Sequence, residues 1–177
     1  MASVGMRVDA TRQSKVSGLE LYSFVPLHAL PSGRLRRDTA RFDDALVSQL
    51  REAKFDVSLV NVEEFITAHG LPVDVQVTGG EGQHQSRFLP EHDVIAMSHS
   101  DEPAVGASHR LVLMPVRMSL DRSTGVTRGV VQWRMETTDD ATPIAIGLLR
   151  YTADVRGFPA KRMARHLVAE LDNLGIR

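Results

Sequence analysis

Apolar and polar positions change period several times along the chain, and each change marks an element. In Gly18 to Leu27 (GLELYSFVPL), Leu19, Leu21, Ser23 and Val25 alternate with Glu20, Tyr22 and Phe24. That is the two-residue period of a strand with at least one buried face. The segment LPSGRLRRD then turns the chain. From Asp38 to Lys54 the period lengthens. Phe42, Ala45, Leu46, Gln49, Leu50 and Ala53 share one side, and Asp43, Asp44, Arg51 and Glu52 take the other, which predicts an amphipathic helix. Val57 to Val60 follows as a short apolar strand. Strand, helix and strand in such quick succession predict a βαβ unit with parallel strands and a helix covering one face.

Asn61 is placed to cap a short helix, with Glu64 in the capping-box position and Gly70 closing it. Val73, Val75 and Val77 alternate like a strand, TGGEGQHQS reads as a loop or hairpin tip, and Asp93 to Ser98 as a further strand. From His109 to Leu120, Val112, Met114, Val116, Met118 and Leu120 fall on one face and Leu111 and Leu113 on the other. After the turn at Asp121 to Gly125, Val131, Trp133 and Met135 alternate with Gln132, Arg134 and Glu136. Asp139, Asp140 and Pro143 turn the chain again into a strand from Ile144 to Tyr151. Two successive hairpins make an antiparallel meander. Pro115 has no N–H, so it demands a sheet edge or a bulge. Pro159 opens a last helix with the stripe Met163, Leu167, Leu171 and Leu174, and Gly175 ends it. The predicted fold is α/β (α+β) with a mixed sheet: β-α-β-α, then the meander and a C-terminal helix, in two or three layers. Met1 to Lys15 is polar and aperiodic, so residues 1–15 are expected to be a flexible lead-in to a single domain over 16–177.

Composition narrows the function classes. Of 177 residues, 42% are hydrophobic and 24% charged, the balance of a globular domain and not of a disordered chain. The net charge of −1 disfavours a strongly basic nucleic-acid binder. With no cysteine there is no disulfide, zinc–thiolate site or cysteine nucleophile. The longest apolar run, Leu111 to Val116, is strand-sized and far short of the ~20 residues that span a bilayer.

Four histidines, His84, His92, His99 and His109, stand near Glu91, Asp93, Asp101 and Glu102 and are the candidate metal ligands, although their spacing fits no compact ligand motif. Ser98–His99 and Ser108–His109 suggest a hydrolase, but neighbours on a strand point to opposite faces, so neither pair is expected to act as nucleophile and base. Gly79, Gly80 and Gly82 surround Glu81 without the lysine of a phosphate-binding loop. Asp139–Asp140 belongs to a turn, and Asp43–Asp44 is expected on the solvent side of its helix, with no burial to raise a pKa. Arg34, Arg36, Arg37 and Arg41, and separately Lys161, Arg162, Arg165 and His166, read as solvated basic faces. Trp133, between Val131 and Met135, reads as core. No catalytic residue and no cofactor is expected.

The strands RLVLMPVRMSL, VVQWRMETTDD and PIAIGLLRY with the helix PAKRMARHLVAELDNLGI resemble small bacterial envelope lipoproteins with a fold like the N-terminal domain of TolB or the curli-secretion protein CsgG. VSGLELYSFVPL and RFDDALVSQLREAKFDVSLVN suit the opening strand–helix–strand of that family. The resemblance implies a non-catalytic, protein-binding domain of a transport, secretion or cell-wall assembly, able to self-associate. It implies the periplasm or the inner face of the outer membrane, and no nucleic-acid partner. The sequence holds neither signal nor anchor cysteine, so membrane attachment is expected only through an anchor that precedes it. The alternative is a small cytosolic enzyme or ligand-binding protein with its site in the 78–108 loops.

Overall fold

The computed structural model describes residues 2–7, 16, 18–25, 33–60, 73–74, 87–88, 106–121, 124, 126–139, 142–153 and 157–176. Its centre is a six-stranded mixed sheet. The strands are β1 (Ala2–Arg7), β2 (Gly18–Ser23), β3 (Asp56–Leu59), β6 (His109–Asp121), β7 (Val126–Thr137) and β8 (Pro143–Ala153), in the order β1-β8-β7-β6-β2-β3. Two further strands, β4 (Val73–Asp74) and β5 (Arg87–Phe88), pair antiparallel with each other, and the glycine loop between them lies outside the described residues. The helices are α1 (Gly33–Glu52) and α2 (Ala160–Asn173).

The βαβ unit forms as its period predicts, with β2 and β3 parallel from Gly18 opposite Asp56 to Leu21 opposite Leu59. β2 also pairs in parallel with β6, so both its neighbours run its way. β6, β7 and β8 are the antiparallel meander. Leu19, Leu21, Leu111, Leu113, Val131, Trp133 and Leu149 form one core with Phe42, Leu46 and Leu50 of α1 and Met163, Leu167 and Leu171 of α2. The two helices therefore lie on one face of the sheet, packed against each other. Each fully buried leucine or methionine of this kind stabilises the fold by about 2 kcal/mol.

Both helices end alike. The Phe55 N–H reaches back to the Leu50 carbonyl at 3.0 Å, and the Ile176 N–H to the Leu171 carbonyl at 3.1 Å. The residues before them, Lys54 and Gly175, have φ of 72° and 66°. These are Schellman turns, with an apolar residue folding back onto the last turn. α1 begins at Gly33, earlier than the apolar period places it, because the run RLRR at 34–37 consists of good helix formers.

Two expectations need correction. Residues 2–7 are not a lead-in: they pair antiparallel with β8, from Ala2 opposite Arg150 to Arg7 opposite Ala145. Contacts across the fold hold them there, not a period of their own. The Gly5 N–H donates to Glu170 Oε1 of α2 at 2.8 Å, and a Cβ at Gly5 would stand 2.7 Å from the indole of Trp133. Nor does β6 keep one face along its length. The register shifts between Pro115 and Arg117, making Val116 the extra residue of a bulge. Met118 and Leu120 thereby pair with Gly129 and Thr127, in the β7 row of Val131 and Trp133 and not in the row opposite Val112. Pro115 thus takes the bulge its missing N–H demands. The pairing of β6 with β2 also stops at Leu113, two residues before it.

The short helix expected after Asn61 and the strand expected at Asp93 to Ser98 lie outside the described residues.

Candidate functional site

His109 is the one histidine of the candidate metal set among the described residues; His84, His92 and His99 lie outside them. Among the described residues no three His, Cys, Asp or Glu side chains are grouped to hold a metal ion. His109 opens β6 with 3% exposure, and burial lowers its pKa while the charge of Asp139 works the other way. Its Nδ1 lies 2.7 Å from Ser108 Oγ. Opposite-face alternation does not separate this pair, because Ser108 precedes the strand. The surroundings make the contact a stitch. Ser108 N–H donates to the Gly18 carbonyl at 3.1 Å, Thr138 N–H to the Ser108 carbonyl at 3.1 Å, and Thr138 Oγ1 to the Ala107 carbonyl at 3.0 Å. Gly18 is forced to be glycine, since a Cβ would stand 2.3 Å from the Gly106 carbonyl oxygen. The starts of β2 and β6 and the end of β7 are tied together here. The rest of the 78–108 segment lies outside the described residues, apart from Arg87, Phe88 and 106–108.

The face of the sheet turned away from the helices carries a row of charges. Glu20, Arg110 and Glu136 are cross-strand neighbours on β2, β6 and β7. Arg110 Nε donates to Glu20 Oε2 at 2.8 Å, with the two side chains 1% and 2% exposed. The Arg110 guanidinium carbon also stands 5.8 Å from the centre of the Tyr22 ring, within cation–π range. Two residues back along β7, on the same face, Arg134 Nε is 3.0 Å from Glu136 Oε2. Alternation marks these four as the polar face of their strands, yet Glu20, Arg110 and Glu136 are buried. Two acids and two bases cancel, which is the condition for keeping such groups out of water.

Asp43 also departs from its expected place. It accepts a hydrogen bond from Ser23 Oγ of β2, so it sits at the seam between α1 and the sheet and not on the solvent side. Burial pushes its pKa up from 3.8 to about 7; the Ser23 hydrogen bond opposes the rise and the charge of Asp44 adds to it. Asp43 stands three and seven residues before the buried Leu46 and Leu50, so its position puts it on the inner side and only its charge suggests the outer one.

One member of the first basic cluster, Arg41, meets three of the second in space. Arg41 of α1 and Lys161, Arg162 and Arg165 of α2 line one cleft of about 610 Å³, together with Asp44, Ala45, Phe158, Pro159 and Ala160. Their side chains are exposed, as expected, but they share a concavity and not two independent faces. Phe158 stands edge-on to Tyr151 at 4.9 Å and to Phe42 at 6.1 Å, anchoring the cleft in the core.

The sequence matches no protein-family model and no curated protein. Among solved structures, a point variant of PelC from Paraburkholderia phytofirmans, a dodecamer, is 9% identical over 99% of this chain and 100% of that one, with a TM-score of 0.53. A second PelC dodecamer from the same organism is 10% identical over 99% and 98% of the two chains, with a TM-score of 0.48. The lipoprotein GNA1162 from Neisseria meningitidis is 10% identical over 91% and 99%, with a TM-score of 0.47. The likeness that carries weight is the first, and it is one of fold. The resemblance drawn from the sequence is met at that coarser level, a fold shared with a bacterial PelC, and not as TolB or CsgG in particular.

Proposed function

We propose that this chain is a non-catalytic domain of a bacterial envelope assembly that associates with copies of itself. The observation that carries the reading lies at the two ends of the sheet. β1 and β3 pair on one side only among the described residues. Each bears an exposed large apolar side chain, Met6 at 61% and Leu59 at 45%. A charged side chain caps one backbone group on each strand, Glu170 at the Gly5 N–H and Arg51 at the Val57 carbonyl, but the apolar side chains beside them stay exposed. Two different patches at opposite ends of one chain are what a head-to-tail interface uses, and such an interface makes a ring where its rotation closes. β1 and β3 also run in opposite senses within the sheet, so a β3 edge meeting the β1 edge of the next copy would add strands in the antiparallel manner. The fold shared with a dodecameric PelC supports the same reading. The non-catalytic part rests on the engagement of the buried polar groups with one another: Glu20 with Arg110, Ser108 with His109, Asp43 with Ser23.

Light scattering coupled to size exclusion, over a range of protein concentrations, tests the association. The full chain is expected to form a discrete oligomer, and Met6→Glu and Leu59→Glu each to shift it toward monomer. A monomer at every concentration, or an oligomer indifferent to both substitutions, overturns the reading. Fractionation of cells expressing the tagged native gene tests the compartment. Recovery with the envelope is expected, and recovery in the cytosol alone refutes it.

A further inference from the structure

We propose that the cleft between α1 and α2 binds a phosphate group carried on a small hydroxylated body, of the glycerophosphate kind. The cleft holds about 610 Å³, within the size range of sites for small organic ligands. In a chain of net charge −1, it gathers Arg41, Lys161, Arg162 and Arg165 around one space, against the single carboxylate of Asp44. Packing the two helices together brings these like charges around one space, which raises the positive potential that an anion entering it would meet. Guanidinium groups present a planar fork of donors that matches phosphate oxygens in pairs, and the lysine adds a mobile point charge. A phosphate group, with more acceptor oxygens than a carboxylate, engages more of these four cations at once.

The rest of the lining says what carries the phosphate. A carboxylate accepts hydrogen bonds and donates none, so Asp44 repels a bare phosphate and favours a ligand with hydroxyl donors beside it. Phe158 supplies an apolar wall for a short carbon body, and its edge-on contacts with Tyr151 and Phe42 hold that wall in place without the ligand. A glycerophosphate group satisfies all three conditions. It occurs free as glycerol 3-phosphate and on membranes as the headgroup of phosphatidylglycerol. The site is separate from the edges at Met6 and Leu59, so it stands or falls independently of self-association.

Calorimetric titration of the full chain with glycerol 3-phosphate and, in parallel, with inorganic phosphate tests the proposal. A second arm measures co-sedimentation with phosphatidylcholine vesicles made with and without phosphatidylglycerol. Saturable binding of glycerol 3-phosphate, tighter than that of inorganic phosphate, is expected. Arg41→Gln and Arg165→Gln, on different helices, should each weaken it about tenfold, the value of one charge-assisted hydrogen bond. Asp44→Asn should remove the preference over inorganic phosphate. Sedimentation that needs both phosphatidylglycerol and Arg165 assigns the group to lipid, and binding of the soluble compound alone assigns it to a free metabolite. The absence of saturable binding in both arms overturns the site. So does binding unchanged in both arginine variants while their circular dichroism matches that of the parent. Equal affinity for the two soluble probes overturns the hydroxylated body.

Discussion

The indole of Trp133 on β7 occupies the space above its cross-strand partner Gly147 on β8, where a Cβ would stand 2.4 Å from Cε2. Gly147 is in turn opposite Gly5 of β1, whose Cβ would meet the same ring at 2.7 Å. One side chain thus spans three strands because two glycines in register leave room for it. Its Nε1, buried, has no hydrogen-bond partner among the described residues, so the ring is held by packing alone.

Gly147→Ala should therefore cost about 1–3 kcal/mol, the range for overpacking a filled core. Trp133→Ala should cost about 3–5 kcal/mol by leaving a cavity over both glycines. Trp133 is the one tryptophan of the chain, so its emission reports the site directly. Urea unfolding followed by that emission, and by circular dichroism for Trp133→Ala, checks both values. An alanine at 147 that leaves stability and emission unchanged would contradict the packing.

The Glu20–Arg110 pair makes a prediction about sign. Removing one partner by Arg110→Met or Glu20→Leu leaves the buried row of Glu20, Arg110, Arg134 and Glu136 with one charge unbalanced and should cost about 3–5 kcal/mol. Replacing both together should recover most of that loss, because desolvation of the two charges disappears with their attraction. Denaturant unfolding of the two single variants and the double variant closes the cycle. A double variant as unstable as the sum of the singles would mean that the two charges do not act as one unit.

Lys54 offers a gain. It takes the left-handed conformation at the end of α1, φ 72°, which Gly175 takes at the end of α2. A residue with a Cβ pays about 1–2 kcal/mol there, and glycine pays part of that back in unfolded-state entropy. Lys54→Gly should raise stability by about 0.5–1 kcal/mol, read as a higher urea midpoint with an unchanged slope.

Sequence periodicity reveals elements whose own residues carry the pattern that holds them. The parallel β2–α1–β3 unit, the β6–β7–β8 meander and the Met163, Leu167, Leu171 stripe are legible for that reason. Ala2–Arg7 is not, because what fixes it lies on β7 and α2, and its central residue is a glycine that shows no preference. The change of face along β6 escapes notice because a bulge is invisible to alternation, although Pro115 announces that one is needed. Glu20 and Arg110 look like solvent-facing residues because charge is read one strand at a time, and their pairing across β2 and β6 is not. The cleft fails in the same way: Arg41 and Arg165 belong to helices that only the folded sheet brings side by side.

Asp43 gives the fold a dependence on pH whose direction is unusual for a carboxylate. Its pKa is ordinarily 3.8 and is raised to about 7 in the folded chain, chiefly by burial. Between those values the folded state keeps a proton that the unfolded chain has lost. The contribution of Asp43 is therefore complete at low pH, declines as pH rises through this window, and is gone above about 7. His109 acts in the opposite sense. Its pKa is lowered from 6.5 by burial, so its contribution is full above that value and is lost as pH falls below it. The two trends overlap in the parent protein, and Asp43→Asn separates them by leaving an uncharged acceptor against Ser23. The variant should match the parent most closely near about pH 4 and become progressively the more stable of the two toward about pH 8. Ser23→Ala, which removes the one influence that lowers the Asp43 pKa, should move the decline to higher pH. Urea midpoints measured across that range decide it, and a constant difference between Asp43→Asn and the parent would show that Asp43 is ionised at the seam throughout.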